Sequence, residues 1–193
     1  MKITFYGASS RLVDKKYIEA VERLGEAIAK RGHELVFGGG KNGLMGAIVR
    51  GVKRAGGKAT GIIPEFFKET HFEELYEKSD EIIWTKNMYD RKFLLENMAD
   101  AFIIAPGGIG TYDEFCGVLT SKQLKRHFKP IALYSIEGFY DKFAEFLEDS
   151  INEKFINENC RDLFKAFSSE EGLMDYLENG DNEHIDEDFK NIQ

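Results

Sequence analysis

The residues of this chain best able to do chemistry are two charged pairs and three glycine-rich turns. The turns span residues 7–10 (Gly-Ala-Ser-Ser), 38–46 (Gly-Gly-Gly-Lys-Asn-Gly-Leu-Met-Gly) and 106–111 (Pro-Gly-Gly-Ile-Gly-Thr). Glycine lets backbone amides come close to an anion, and a helix starting just beyond adds a favourable dipole. One such turn reads as tight-turn geometry alone, whereas three together predict a phosphate or nucleotide site. The first pair, Arg91-Lys92 within Met88-Tyr89-Asp90-Arg91-Lys92, joins a planar fork suited to phosphate oxygens to a compact point charge. The second pair, Asp113-Glu114, follows the third turn. Successive helical residues diverge by about 100°, which predicts that only one of these carboxylates faces a ligand. Spacing alone leaves the choice between them open.

These residues need a scaffold, and the hydrophobic pattern supplies one. Ile3 to Tyr6 reads as a short buried strand running into the first turn, and Tyr17, Val21, Leu24 and Ile28 then recur at helical spacing. Residues 34–37 form a second strand ending on the second turn, and Leu44, Ala47, Ile48 and Val52 mark a second helix. Residues 58–63 read as a third strand cut off by Pro64, and residues 81–85 as a fourth. Residues 87–99 read as a helix with Met88, Leu95 and Met98 inward, and the apolar run 101–105 as a central parallel strand. Beyond the third turn a helix, a strand at 131–134 and an amphipathic helix at 138–151 are expected, with Phe139, Phe143, Phe146 and Leu147 on one side of the latter. A last strand at 163–167 and a closing helix at 170–177 follow. The polar, aromatic stretch 65–79 is expected to be a loop or a lid over the site.

This alternation predicts an α/β, Rossmann-like fold, a doubly wound parallel sheet with helices on both faces. Ligands of such sheets sit beyond the carboxyl ends of the strands, the edge on which all three glycine turns fall. The chain reads as a single nucleotide-binding domain over residues 1–178, with an acidic, polar C-terminal tail over 179–193.

At 193 residues, 42% of them hydrophobic, the chain is long enough for one sizeable core. Its formal net charge of −8 argues against a nucleic-acid polymer as partner. It does not argue against a small anion, which local backbone dipoles can hold. No stretch reaches transmembrane length and the opening apolar run is too short for a signal peptide, so a cytoplasmic protein with no membrane partner is expected. Cys116 and Cys160 have no CxxC spacing, suit a reduced compartment and read as small core residues. His33, His71, His127 and His184 lack paired ligand spacing, so no metal site is expected.

Gly38-x-Gly40-x-x-Gly43 also matches the dinucleotide fingerprint, with Glu65 about 20 residues further on, so an NAD-dependent oxidoreductase is a rival reading. That match follows the second strand rather than the first, and it leaves the turn at 106–111 unexplained. A non-catalytic nucleotide or cofactor carrier on the same fold is the other alternative. It would keep the glycine turns and have no need of Glu114.

With these motifs in place, the chain resembles the Lonely Guy (LOG) family, known for cytokinin-nucleotide phosphoribohydrolase activity and also described as "possible lysine decarboxylase". The similarity runs from Phe5 to about Ile156. It rests on residues 7–10, the run 36–46, Gly61-Ile-Ile-Pro64, Met88-x-x-Arg91-Lys92 and, above all, the run 106–114, which fills the family's PGGxGTxxE pattern. The resemblance implies hydrolysis of a nucleoside 5′-monophosphate, AMP or N6-modified AMP, to free base and ribose 5-phosphate, with no cofactor. It implies Arg91 and Glu114 as the catalytic pair, which decides between the two carboxylates in favour of Glu114. It implies phosphate binding by Gly107, Gly108, Gly110 and Thr111, with Gly7, Ser9, Ser10, Gly39, Gly40, Met88 and Lys92 as further substrate contacts. It also implies a homodimer with the active site near the subunit interface. Two departures bear on the base: Ile109 stands where many relatives carry tyrosine, and residues 115–123 lack the tryptophan often seen before the pair Gln123-Leu124. The decarboxylase label has little support, because a pyridoxal enzyme needs a Schiff-base lysine and no lysine here sits in a setting suited to that role.

Overall fold

The computed structural model describes residues 1–70 and 74–179. Seven strands, β1 (Lys2–Tyr6), β2 (Glu34–Phe37), β3 (Ala59–Pro64), β4 (Glu81–Thr85), β5 (Ala101–Ile104), β6 (Ile131–Tyr134) and β7 (Lys165–Phe167), form one sheet. Every pairing is parallel, and the order is β4-β3-β2-β1-β5-β6-β7. The helices between them are α1 (Lys15–Lys30), α2 (Gly43–Arg54), α3 (Phe67–Thr70), α4 (Met88–Asn97), α5 (Ile109–Gln123), α6 (Asp141–Asn152) and α7 (Glu170–Asn179).

Side chains of a strand alternate between its faces, and here that sorts the apolar residues into two cores. Ile3, Phe5, Leu35, Phe37, Ala101 and Ile103 pack with residues of α1, α2 and α7. Their neighbours Tyr6, Val36, Phe102 and Ile104 pack with Leu95 of α4 and with Phe115 and Val118 of α5. Both faces of the inner strands are therefore covered, which explains their unbroken apolar runs. The doubly wound fold expected from the sequence is the one observed. α1 and α2 lie in backbone contact: a Cβ on Gly51 would strike the carbonyl of Glu22, and one on Gly25 the carbonyl of Ile48.

The chain builds outward from β1 to the β4 edge, then returns through α4 to lay β5 on the other side of β1. The strand order reverses between β1 and β5, and the loops leaving their carboxyl ends diverge there. Those loops are the first and third glycine turns. Buried Thr4 on β1 ties α4 to this point by donating its hydroxyl to the carbonyl of Leu95 at 2.8 Å.

Several boundaries differ from the sequence pattern. Pro64 ends β3 from inside the strand, opposite Thr85. α5 starts at Ile109, within the third turn itself. α6 starts at Asp141, later than expected, because Glu137 and Gly138 carry φ of 54° and 70° and break any helix before it. Phe139 is thereby left outside the helix, and Phe146 is exposed. Residues 158–163 form a 3-10 turn, which shortens β7 to Lys165–Phe167.

The stretch 65–79 holds α3 and an isolated antiparallel bridge between Gly40 and Leu75. Glu74 there pairs with Arg11 and Lys41. Residues 71–73, including His71, lie outside the described residues, as do 180–193 with His184 and nearly all of the expected tail. Cys160 is buried as expected, whereas Cys116 is exposed on the outer face of α5. Among the described residues no helix is long and apolar enough to cross a membrane.

Candidate active site

A cleft of about 340 Å³ opens at the reversal of strand order, within the range of small-molecule sites of roughly 300–1,000 Å³. Gly7, Ser9 and Ser10 line it from the loop after β1, together with Ala8. Met88, Arg91 and Lys92 enter from the first turns of α4, and Gly108, Gly110, Thr111, Asp113 and Glu114 from the start of α5. Met45 of α2 completes the wall.

Three of the residues expected at the site do not line the cleft, and each has a packing role instead. Gly39, with φ of 83°, presses against Ile63, and its carbonyl accepts the N–H of Tyr76. The N–H of Gly40 points to the sulfur of Met45 at 3.2 Å. Gly107 leaves room for the side chain of Thr111, which a Cβ there would strike. Conversely, Ala8 and Met45 line the cleft although the motif reading did not single them out. Both lie inside the glycine-rich runs, so the signal was present and only its residue assignment was missing.

The two helix starts are not equivalent. At α2 the amides of Leu44 and Met45 both donate to the carbonyl of Ala8, at 2.7 and 3.2 Å. That end is filled by the protein's own backbone. Gly38 is closed as well, because the Arg91 guanidinium occupies the space a Cβ would need. The dinucleotide fingerprint thus meets no open helix end, and its Gly38 and Gly43 are closed by the Arg91 guanidinium and the Ala8 carbonyl. At α5 the first in-helix bond is Tyr112 N–H to the carbonyl of Gly108, at 3.0 Å. Helix geometry supplies no acceptor for the amides of Ile109, Gly110 and Thr111; of these residues Gly110 and Thr111 line the cleft, and open amides of this kind suit an anion seat. No side chain crowds Gly108 or Gly110, which leaves the seat accessible.

Arg91 and Glu114 meet on the cleft floor. The Nη1 of Arg91 donates to Oε1 of Glu114 at 3.0 Å, and its Nε donates to the carbonyl of Ile62 in β3 at 3.3 Å. The two side chains are only 7% and 12% exposed. A buried ion pair is expensive to desolvate and contributes little net stability, so its presence in a cleft marks a candidate functional site. Burial pushes the Glu114 carboxyl above its ordinary range, and the Arg91 charge opposes that shift. Buried Tyr6 feels the same pair, its phenol raised first by burial and then by the Glu114 charge.

Asp113 also lines the cleft, contrary to the expectation that only one carboxylate would. It does so from the rim, 56% exposed and paired with Lys92. The helical rotation between neighbours sends Glu114 down to the floor and Asp113 up to the mouth. The arrangement offers an anion seat at one end and a desolvated carboxylate clamped by a guanidinium at the other.

Residues 45–177 match the family described as "Possible lysine decarboxylase". The chain is 35% identical over 177 residues to the cytokinin riboside 5′-monophosphate phosphoribohydrolase LOG of Oryza sativa subsp. japonica, covering 92% of this chain and 72% of that protein. It is 34% identical to LOG2 of Arabidopsis thaliana, which bears the same enzyme name, covering 92% and 82%. Among solved structures, the molybdenum cofactor carrier protein of Chlamydomonas reinhardtii superposes with a TM-score of 0.67 at 21% identity, over 92% of this chain and 96% of that one. At that identity the likeness is one of fold.

Proposed function

The chain belongs to the LOG family, and on that premise we propose that it hydrolyses the N-glycosidic bond of a nucleoside 5′-monophosphate, AMP or an N6-modified AMP. The products are the free base and ribose 5-phosphate. The carrying observation is the buried Arg91–Glu114 pair set across the cleft from the open amides of α5.

In this reading the 5′-phosphate sits on the amides of Ile109, Gly110 and Thr111, with the Thr111 hydroxyl and Lys92 beside it. That places the ribose over Glu114. Cleavage of the bond from C1′ to the base develops positive charge on the sugar, as in other glycoside hydrolyses. Ionised Glu114 stabilises that charge and takes a proton from the attacking water, so the hydroxyl adds to C1′ while the base leaves with the bonding electrons. Arg91 keeps the carboxylate ionised and oriented. Two of its five N–H groups are committed to Glu114 and Ile62, which leaves others for the substrate. Phosphate binding at a distance from the reacting bond supplies energy for positioning. Met45 and Met88 give the cleft two adaptable apolar side chains for the base.

We further infer a cytoplasmic homodimer. Two free thiols, Cys116 and Cys160, suit a reducing compartment. Tyr89 and Phe93, 86% and 65% exposed, stand one turn apart on the outer side of α4. Ile109, also exposed, adds to them beside the cleft. Together they offer apolar surface to a second copy.

A pyridoxal decarboxylation requires a desolvated Schiff-base lysine. The cleft lysine, Lys92, is instead 39% exposed and ion-paired with Asp113.

The test is incubation with AMP, N6-substituted AMP and adenosine, with released base read by chromatography. Base is expected from the monophosphates and very little from adenosine. Equal turnover of adenosine and AMP overturns the reading, and tight nucleotide binding without released base identifies a carrier instead.

A further inference from the structure

We propose that Tyr140 is a positioning residue for the phosphate seat, its hydroxyl fixing the peptide from which the turn at 106–111 springs. The inference rests on the phosphate seat of the proposed function and adds a residue from outside the cleft. Ala105 directly follows β5 and is fully buried. Its N–H donates to the carbonyl of Tyr6 at 2.8 Å, and its own carbonyl accepts the Tyr140 hydroxyl at 2.7 Å. The carbonyl of Pro106 then accepts the N–H of Ala8 at 3.0 Å. The two residues ahead of Gly107 are therefore held from the β1 side by backbone and from the β6 side by one side chain. Gly107 and Gly108 have no side chain of their own to hold on with. The aim of the α5 amides follows from how the start of the turn is pinned.

Tyr140 is built to be an unmoving post. It is 1% exposed, and its ring packs edge-on to Phe139 and Phe143. Its N–H donates to the hydroxyl of Ser135, at the end of β6, at 3.1 Å. Phe143 in turn stacks on Tyr112 of α5, so the same aromatic group braces the helix whose amides form the seat. Burial lifts the phenol above its ordinary range, which leaves it protonated and a donor throughout the working pH range. Packing at this position needs only a phenyl ring. The buried hydroxyl is explained by the carbonyl it meets.

The experiment compares wild type with Tyr140→Phe, which keeps the ring and removes the hydroxyl. Ribose 5-phosphate binding is measured by calorimetry, and kcat/KM is measured for a nucleoside monophosphate and for the matching nucleoside. A small misplacement of the seat predicts about tenfold weaker ribose 5-phosphate binding and a similar fall in the monophosphate-to-nucleoside ratio, with nucleoside turnover unchanged. Wild-type affinity in the variant overturns the proposal. So does an equal loss on both substrates, which marks a merely structural residue. If Tyr140→Phe does not fold, Ser135→Ala, which frees the Tyr140 N–H but keeps the phenol, takes its place; a smaller loss in the same direction is expected, and unchanged affinity again overturns the idea. Because ribose 5-phosphate binding is read without turnover, weaker binding in the variant alongside a wild type that releases no base upholds the post and fails the hydrolase reading.

Discussion

At the scale of single residues, the proposed reaction turns on the ionisation of Glu114. The Glu114→Gln variant is expected to lose about 10²-fold or more in the rate of base release while nucleotide affinity, measured by calorimetry, stays close to wild type. A fully active variant removes the catalytic assignment. The pH profile follows from the raised carboxyl. The working form is ionised, so kcat/KM falls as pH drops through a value above the ordinary 4.5. Arg91 opposes the effect of burial, so in Arg91→Met the residual acid limb moves to still higher pH. A limb at or below the ordinary carboxylate value in wild type contradicts this electrostatic account. Both residues were legible in the sequence as motif members, but the choice of Glu114 over Asp113 needed the family resemblance. A physical signal was available. Thr111, Phe115, Val118 and Lys122 are the buried stripe of α5, and Glu114 borders that stripe while Asp113 faces away. What no sequence pattern exposes is that Arg91 reaches back to Ile62 and roofs over Gly38, because that contact is made only when α4 crosses the sheet.

At the scale of elements, the start of α5 is left without the acidic side chains that usually stabilise a helix N-terminus. Gly110→Asp adds one where the glycine has open space. It is expected to stabilise the fold by about 0.5–1 kcal/mol in urea titrations while weakening ribose 5-phosphate binding at least tenfold by like-charge repulsion. Unchanged binding would show that the phosphate does not sit there. The α1–α2 contact carries the opposite kind of change: Gly51→Leu drives a side chain into the backbone of Glu22 and should cost about 1–3 kcal/mol with little direct effect on the cleft. The sequence pattern located nearly every element, because strands buried on both faces leave unmistakable apolar runs. It erred where backbone conformation, not hydrophobicity, decides. The positive φ of Glu137, a residue with no evident turn propensity, delays α6 to Asp141 and leaves Phe139 outside the helix.

At the scale of the whole molecule, the sheet order brings the loops after β1 and β5 together, and the glycine turns acquire meaning only there. The parallel alternation was readable from the sequence. Which turn stays open was not, since the Ala8 carbonyl fills the α2 end through a contact between distant segments. For the proposed homodimer, Phe93→Glu on the outer side of α4 is expected to yield a monomer in sedimentation at micromolar concentration, and a wild-type sedimentation profile would move the contact elsewhere. The filled α2 end has one more consequence. With a first phosphate on the proposed α5 seat, a second linked phosphate would meet no free amides at the α2 end, where the Ala8 carbonyl already takes those of Leu44 and Met45. ADP and ATP are therefore expected to compete poorly with AMP. Ribose 5-phosphate, carrying the same anchor as the substrate, should linger after the base has gone and act as a competitive product inhibitor.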